Sequence, residues 1–302
     1  MSGERNMRLK IEEEYGNIYL IEKKLDNTAA ELKDTFPDRK ICVCDFYVAG
    51  SESGKMAKNG SISFDDLVII DHHLAIPEMR KHISSTTLAN KYVTERGPLN
   101  DSFAVIINHT DTDSMLSSLI MSGKLKPHDE FDMAAVAADH TGAENIISDL
   151  LQALEDDRCL DKSIDALQKI VKKRLSIRQK LRMLVDNGEF KMDGSIAYIL
   201  LDRKIDAGLL PFFFPAADAV IVAWPMPKGS KGKWGIKTRL VTANNDIVLN
   251  KMDLPDTGGR WNAVSTTRHG GTDIDLEEYV KIVKRNIERI KKRNNSSKNI
   301  NC

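Results

Sequence analysis

The chain has 302 residues, 41% of them hydrophobic and 29% charged, with 44 basic side chains set against 44 acidic ones. Those proportions belong to an ordinary globular protein and exclude a disordered, collagen-like or disulfide-stapled chain, and the balanced charge leaves no overall field to draw in nucleic acid. The length is about twice that of a usual domain, so two domains of roughly 150 residues are expected.

Apolar runs such as Ala216 to Val222 stop well short of the roughly 20 residues a membrane span needs, and the start Met1-Ser2-Gly3-Glu4-Arg5 has no apolar signal core behind it. The expectation is a soluble, cytoplasmic protein with no membrane partner. Cys42 and Cys44 alternate around Val43, and no CxxC pair exists, so buried reduced thiols are expected in place of zinc or redox chemistry. Charge is uneven along the chain: Lys169 to Arg182 carries seven basic residues and no acid, and Lys281 to Lys298 carries eight against Glu288 alone. Such runs read as solvated helix faces.

In chain order, Ile18, Leu20, Ile21, Leu25, Leu32 and Phe36 recur at near-helical spacing and predict partly helical structure before the break at Pro37-Asp38. Three short apolar runs follow, Ile41 to Phe46, Leu67 to Ile70 and Ala104 to Ile107, each read as a buried strand ending in metal-capable polar residues. Helix-capable stretches lie between and after them, Ile76 to His82 and Met115 to Met121. This alternation predicts an α/β fold with a mostly parallel open sheet, whose ligands would bind beyond the carboxyl ends of the strands. Asp132 to Gly142 reads as a helix or strand delivering one more carboxylate, Asp139.

Ile164, Leu167, Ile170, Val171, Leu175, Ile177, Leu181 and Leu184 predict a long amphipathic helix ended by Asn187-Gly188. Strands are expected at Ser195 to Asp202, Ala219 to Trp224 and Trp234 to Val241, and a last helix over Asp275 to Lys292. The organisation is therefore read as a metal-binding domain over 1–162, a helical linker over 163–188, a smaller mixed α/β substrate domain over 189–293, and a disordered tail over 294–302. Phe212-Phe213-Phe214, between two prolines, reads as packing or as a homodimer surface.

The strongest local signal is His109-Thr110-Asp111-Thr112-Asp113 directly after an apolar run. Side chains two apart share a direction in extended chain, so His109, Asp111 and Asp113 could converge, with Ser114 as a helix N-cap; the alternative is a turn rich in capping residues. Asp71-His72-His73 closes the preceding strand in the same way. Mixed Asp and His donors suit manganese, magnesium or cobalt better than structural zinc. A set of Asp45, His72, His109, Asp111, Asp113 and Asp139 is large enough for two ions about 3.5 to 4 Å apart, which can share a hydroxide nucleophile and clamp a phosphoryl group in line.

Asp71-His72-His73 together with His109-x-Asp111-x-Asp113 resembles the DHH phosphoesterase superfamily, which includes RecJ-type exonucleases, nanoRNases, cyclic-dinucleotide phosphodiesterases and family II pyrophosphatases. The second half is similar to that superfamily's DHHA1 substrate domain through Lys237-Thr238-Arg239 and the pair Gly258-Gly259-Arg260-Trp261-Asn262-Ala263 and Arg268-His269-Gly270-Gly271. The resemblance runs from about Ile41 to Val280. It implies two manganese ions, one held by His109 and Asp111, the other by Asp113, His72 and Asp139, with Asp45 bridging; His140 is the alternative ligand to Asp139. It further implies that Asp71 orients an imidazole, that His73 contacts the scissile phosphate or assists the leaving oxygen, and that Arg239, Gly258, Gly259, Arg260, Arg268, His269, Gly270 and Gly271 hold the substrate. In the usual family order the His-x-Asp-x-Asp element comes first, so a circularly permuted first domain is expected.

The reading is a two-metal phosphodiesterase or nuclease acting on short oligonucleotides or nucleotide-like diesters. The alternatives are a manganese-dependent pyrophosphatase or polyphosphatase, and a non-catalytic nucleotide-binding protein. Trp261 is either a core residue or a base-stacking platform.

Overall fold

A computed structural model describes residues 8–24, 26–74, 79–160, 164–241 and 246–298. By contact the chain divides into two compact units, the first made of Met1–Leu74, Ile83–Asp139 and Glu144–Arg174, the second of Ala75–His82, His140–Ala143 and Leu175–Cys302. Each unit is built on its own sheet. Among the described residues no helix is long and apolar enough to cross a membrane.

The first unit opens with a hairpin of β1 (Ile11–Tyr15) and β2 (Ile18–Ile21), turned at Gly16 with φ +66°. The helical spacing expected over Ile18, Leu20 and Ile21 is thus replaced by a strand. All four β2 residues are buried, and a strand covered on both faces carries a continuous apolar run whose spacing does not separate it from a helix. Leu25 lies outside the described residues. Helix α1 (Ala29–Thr35) follows, closed at its start by a capping box in which Thr28 and Glu31 satisfy each other's backbone N–H.

The remaining strands are β3 (Lys40–Cys44), β4 (Lys55–Met56), β5 (Ile62–Phe64), β6 (Leu67–Ile70) and β7 (Phe103–Ile107). They form a seven-stranded sheet in the order β1-β2-β7-β3-β6-β5-β4. The centre is parallel, through β2–β7, β7–β3 and β3–β6, while β1–β2, β6–β5 and β5–β4 are antiparallel. The expected mostly parallel sheet is therefore a mixed one, because both margins are made of hairpins whose connections are too short for a parallel crossover. Cys42, Val43 and Cys44 are wholly buried in the middle of it, and the thiols are free.

Helices α2 (Ser85–Arg96), α3 (Thr112–Met121), α4 (Asp129–Val136) and α5 (Ile146–Asp157) complete the first unit, with a π-helical turn over Ala137–Thr141 extending α4. The helix expected over Ile76 to His82 falls partly on 75–78, outside the described residues. Helix α6 (Ile164–Asp186) ends at Asn187-Gly188, with Gly188 at φ +70°.

The second unit carries β8 (Lys191–Asp193), β9 (Ile196–Leu200), β10 (Ala219–Pro225), β11 (Trp234–Leu240), β12 (Gly258–Arg260) and β13 (Ala263–Ser265), in the order β12-β13-β11-β10-β9-β8. One face packs Ile221, Ile236, Val264 and Trp261 against Tyr279, Val283 and Ile287 of the final helix α7 (Leu276–Lys298). On the other face Val220, Val222 and Trp224 pack with Leu181, Leu209 and Leu210. Phe213 and Phe214 join that second cluster and Phe212 stays 40% exposed. Helix α7 runs as far as Lys298, into the stretch from Asn294 expected to be disordered, and 299–302 lie outside the described residues.

Candidate metal centre

The site lies where β3, β6 and β7 end, at the carboxyl edge of the parallel centre, which is where loops diverge and leave a crevice in sheets of this kind. Asp45 follows β3 directly in the left-handed region, φ 61°, and its N–H donates to the Ile70 carbonyl at 2.9 Å. A non-glycine residue there costs on the order of 1–3 kcal/mol and persists only when its surroundings impose it. The surroundings do so through two hydroxyls: Ser85 Oγ donates to Asp45 Oδ1 and Ser114 Oγ to Oδ2, both at 2.9 Å. The carboxylate is fully buried.

Two donor groups meet at Asp45. One is Asp45, His72, His73 and Asp139, the other Asp45, His109 and Asp111, each with a ligand atom of every member within 4.8 Å of the rest. His72 Nε2 lies 2.8 Å from Asp139 Oδ2 and 3.6 Å from Asp45 Oδ1. His109 Nε2 lies 3.2 Å from Asp111 Oδ2 and 3.3 Å from Asp45 Oδ2. Its Nδ1 faces Asn108 Oδ1 at 2.7 Å, a contact that fixes the ring. Asp71 Oδ1 lies 2.9 Å from His73 Nδ1 and accepts the His73 N–H, leaving His73 Nε2 turned to Asp45 Oδ1 at 3.8 Å.

Asp113 is differently placed. Extended chain does not continue past Asp111, because Asp111 itself caps α3 by accepting the Ser114 N–H, the position expected of Ser114. Asp113 therefore sits in the first helical turn and aims its carboxylate at the start of α2. It accepts the Ser85 N–H, the Thr86 N–H and the Thr86 hydroxyl, each at 2.7 Å. It remains 3.4 Å from His72 Nε2 but belongs to neither donor group.

The electrostatics follow from crowding carboxylates away from water. Burial, and then the Asp45 and Asp139 carboxylates, hold the Asp113 carboxyl well above the usual range. For Asp111 burial acts upward too, yet the His109 imidazole beside it wins and holds the carboxyl low. Burial would lower the proton affinity of His109, but Asp111 and Asp45 raise it well above the ordinary value. A buried set of oxygen and imidazole donors with excess negative charge fits a hard or borderline divalent cation, so the residues present suit the metal that the motifs imply.

Ser85, Thr86 and the hydroxyl role of Ser114 are not marked by any metal-ligand pattern in the sequence. The run Ser84-Ser85-Thr86-Thr87 was the available signal, since four hydroxyls before Leu88 mark a helix start. Ser84 and Thr87 do form the capping box, which leaves Ser85 and Thr86 for the carboxylates.

The residues expected to hold substrate lie in the second unit. Cross-strand pairing aligns Lys237, Ser265 and Gly258 in one row and Arg239, Ala263 and Arg260 in the next, so Lys237, Arg239 and Arg260 share a face of the sheet. Thr238 points the other way, its hydroxyl on Tyr279 Oη at 3.3 Å. Over Gly258 lie the His269 and Arg268 side chains, within 3.1 and 3.2 Å of where a Cβ would stand. Gly259, at φ +152°, approaches so closely that a Cβ would fall 2.2 Å from the Ala263 carbonyl oxygen. Gly270 and Gly271 make a left-handed turn, and Trp261 is a core residue, 1% exposed.

Fold and site together define a mixed α/β protein with a buried aspartate and histidine cluster able to hold metal. No family profile matches the chain, and no curated protein matches it. Among solved structures it is similar to a pGpG-specific phosphodiesterase from Vibrio cholerae, at 13% identity and a TM-score of 0.37, over 67% of this chain and 88% of that one. It is also similar to an exopolyphosphatase-related protein from Bacteroides fragilis, at 13% identity and a TM-score of 0.36, over 83% of this chain and 71% of that one.

Proposed function

We propose that the chain is a phosphoesterase of the DHH type with a permuted motif order, hydrolysing short oligonucleotides or nucleotide-like phosphodiesters with two divalent ions, manganese by preference. The observation that carries this reading is the Asp45 carboxylate shared by two donor groups, the arrangement a bridging ligand requires. Asp45, His72, His73 and Asp139 would hold one ion, and Asp45, His109 and Asp111 the other. Two ions so placed would supply an activated water and a clamp on the phosphoryl oxygens.

The chain's own groups do the rest. In the hydrolysis a water oxygen would bond to phosphorus and give up a proton, the bond to the leaving oxygen would break, and that oxygen would take up a proton in exchange. Asp71 fixes the His73 ring, the usual partner of a ligand imidazole, which favours a metal-binding place for His73 over a role at the leaving oxygen. Asp113 anchors the carboxylate side of the site to α2. In the second unit Arg239, Arg260 and Arg268 would offer forked donors, and Gly258, Gly259, Gly270 and Gly271 would allow close backbone approach, to phosphate and sugar oxygens of a nucleotide. His269 adds a further donor.

The test is a manganese-supplemented screen over dinucleotides, longer oligomers, cyclic dinucleotides, nucleoside bisphosphates and pyrophosphate. Cleavage of a dinucleotide, lost in Asp111→Ala, is the expected result. Orthophosphate from pyrophosphate with no diester cleaved would make the protein a pyrophosphatase. No bound divalent ion, and no difference between wild type and Asp111→Ala, would leave the non-catalytic reading.

A further inference from the structure

The segment that carries His109 and Asp111 is fastened to helix α5, and both lie within the first unit. Thr110 Oγ1 donates to the Leu154 carbonyl at 2.7 Å, in the last turn of α5, and Thr112 Oγ1 donates to the Ser148 carbonyl at 3.0 Å, in its first turn. Both threonines are wholly buried. Arg158, which closes α5, donates from Nη1 to the Asn108 carbonyl at 3.0 Å, and its Nη2 reaches the Ile21 carbonyl at 3.1 Å and Glu12 Oε2 at 2.6 Å. Asn108, Thr110 and Thr112 are thus tied to α5, while the residues between them, His109 and Asp111, give their side chains to a donor group with Asp45.

We propose that α5 is the template for one side of the metal centre, with Thr110, Thr112 and Arg158 as positioning residues that set where His109 and Asp111 stand. None of the three belongs to a donor group. Valine has the shape of a buried threonine without the hydroxyl, and a buried hydroxyl is unfavourable unless it is bonded. The two bonds therefore fix the register of the segment along α5, which packing alone would leave loose. Arg158 is likewise more than a helix end requires. It stands at φ 48° and ψ 54°, the left-handed place that glycine usually fills. What the arginine adds is its fork, which joins the chain just beyond β7 to the end of β2 and to β1. Asn108 completes the link, since its carbonyl takes the Arg158 bond and its Oδ1 holds His109 Nδ1 at 2.7 Å. The inference rests on the two-ion reading, and it concerns only the ion that His109 and Asp111 would hold.

The experiment is a manganese titration of wild type, Thr110→Val, Thr110→Ser and Arg158→Gly, together with amide exchange across 108–112 in the metal-free proteins. Glycine enters the left-handed region without strain, so Arg158→Gly removes the fork and spares the end of α5. Two ions bind wild type. In Thr110→Val and in Arg158→Gly one of them binds about 10-fold more weakly, the size of effect expected from an outer partner of a ligand, while the other keeps its affinity. Exchange across 108–112 quickens in both, and Thr110→Ser, which keeps the hydroxyl, behaves as wild type. Wild type binding fewer than two ions overturns the two-ion reading and this inference with it. Two ions on wild type, with Arg158→Gly binding both as wild type does, overturns the positioning role alone, whether or not Thr110→Val folds and even where exchange quickens.

Discussion

Asp45 Oδ2 and His109 Nε2 stand 3.3 Å apart at the ends of neighbouring parallel strands, β3 and β7. Replacing Asp45 removes a ligand from both donor groups at once. Asp45→Asn is expected to lower activity by more than about 100-fold, beyond the upper range for loss of a mere outer partner, and to weaken both ions in a manganese titration. It should also raise the melting temperature of the metal-free protein, since one of several crowded negative charges is gone.

The hydroxyls on Asp45 act one step removed. Ser85→Ala and Ser114→Ala should each cost about 10-fold in manganese affinity. Calorimetric titration checks this, and an effect confined to stability would deny those hydroxyls a part in the site.

Asp113 should report as a structural anchor more than as a ligand. Asp113→Ala leaves two α2 backbone N–H groups and the Thr86 hydroxyl without their acceptor. Leaving a buried donor without its acceptor costs about 1–3 kcal/mol, and relief of crowding against Asp45 and Asp139 offsets part of the loss. A net loss of about 3 kcal/mol in denaturant unfolding is expected, with the His109 and Asp111 ion retained.

On the second unit, burial and then Arg239 alongside push the Lys237 ammonium down to about 8, with Asp206 opposing and Lys204 and Arg260 adding to the fall. Below that value folded and unfolded chains both carry the proton and the destabilising cost is complete. Between about 8 and the ordinary 10.5 the unfolded chain holds more proton, so stability rises with pH across this window. Affinity for inorganic phosphate should move the other way, falling from pH 7 to pH 9 as the charge is lost. Lys237→Met should flatten both trends, measured by thermal unfolding and by phosphate titration.

Gly259→Ala tests the close approach of β12 to β13. With no room beside the Ala263 carbonyl, the variant should lose about 2 kcal/mol of stability, read from chemical unfolding.

Much of this was legible in the chain itself, for a physical reason. Runs such as Leu67 to Ile70 are covered on both sides and end where polar residues begin, so strand, end and donors appear together. The β1–β2 hairpin was not legible, because Ile18 to Ile21 gives the same pattern as a buried helix. Nor was the turn of Asp113 away from His109 and Asp111, since it depends on α3 starting at Thr112. Asp45, tied to the site in the sequence only by closing a strand, is drawn to its centre by Ser85 and Ser114, hydroxyls from two other helices.

The left-handed backbone at Asp45 narrows the chemical alphabet at that place to very few letters. Glycine, asparagine and aspartate enter such a conformation most readily, and of these only aspartate brings an anionic oxygen pair. Glutamate would keep the charge yet meet the backbone badly and reach too far. Asp45→Glu should therefore harm folding more than Asp45→Asn does, an inversion of what similarity of charge alone would suggest.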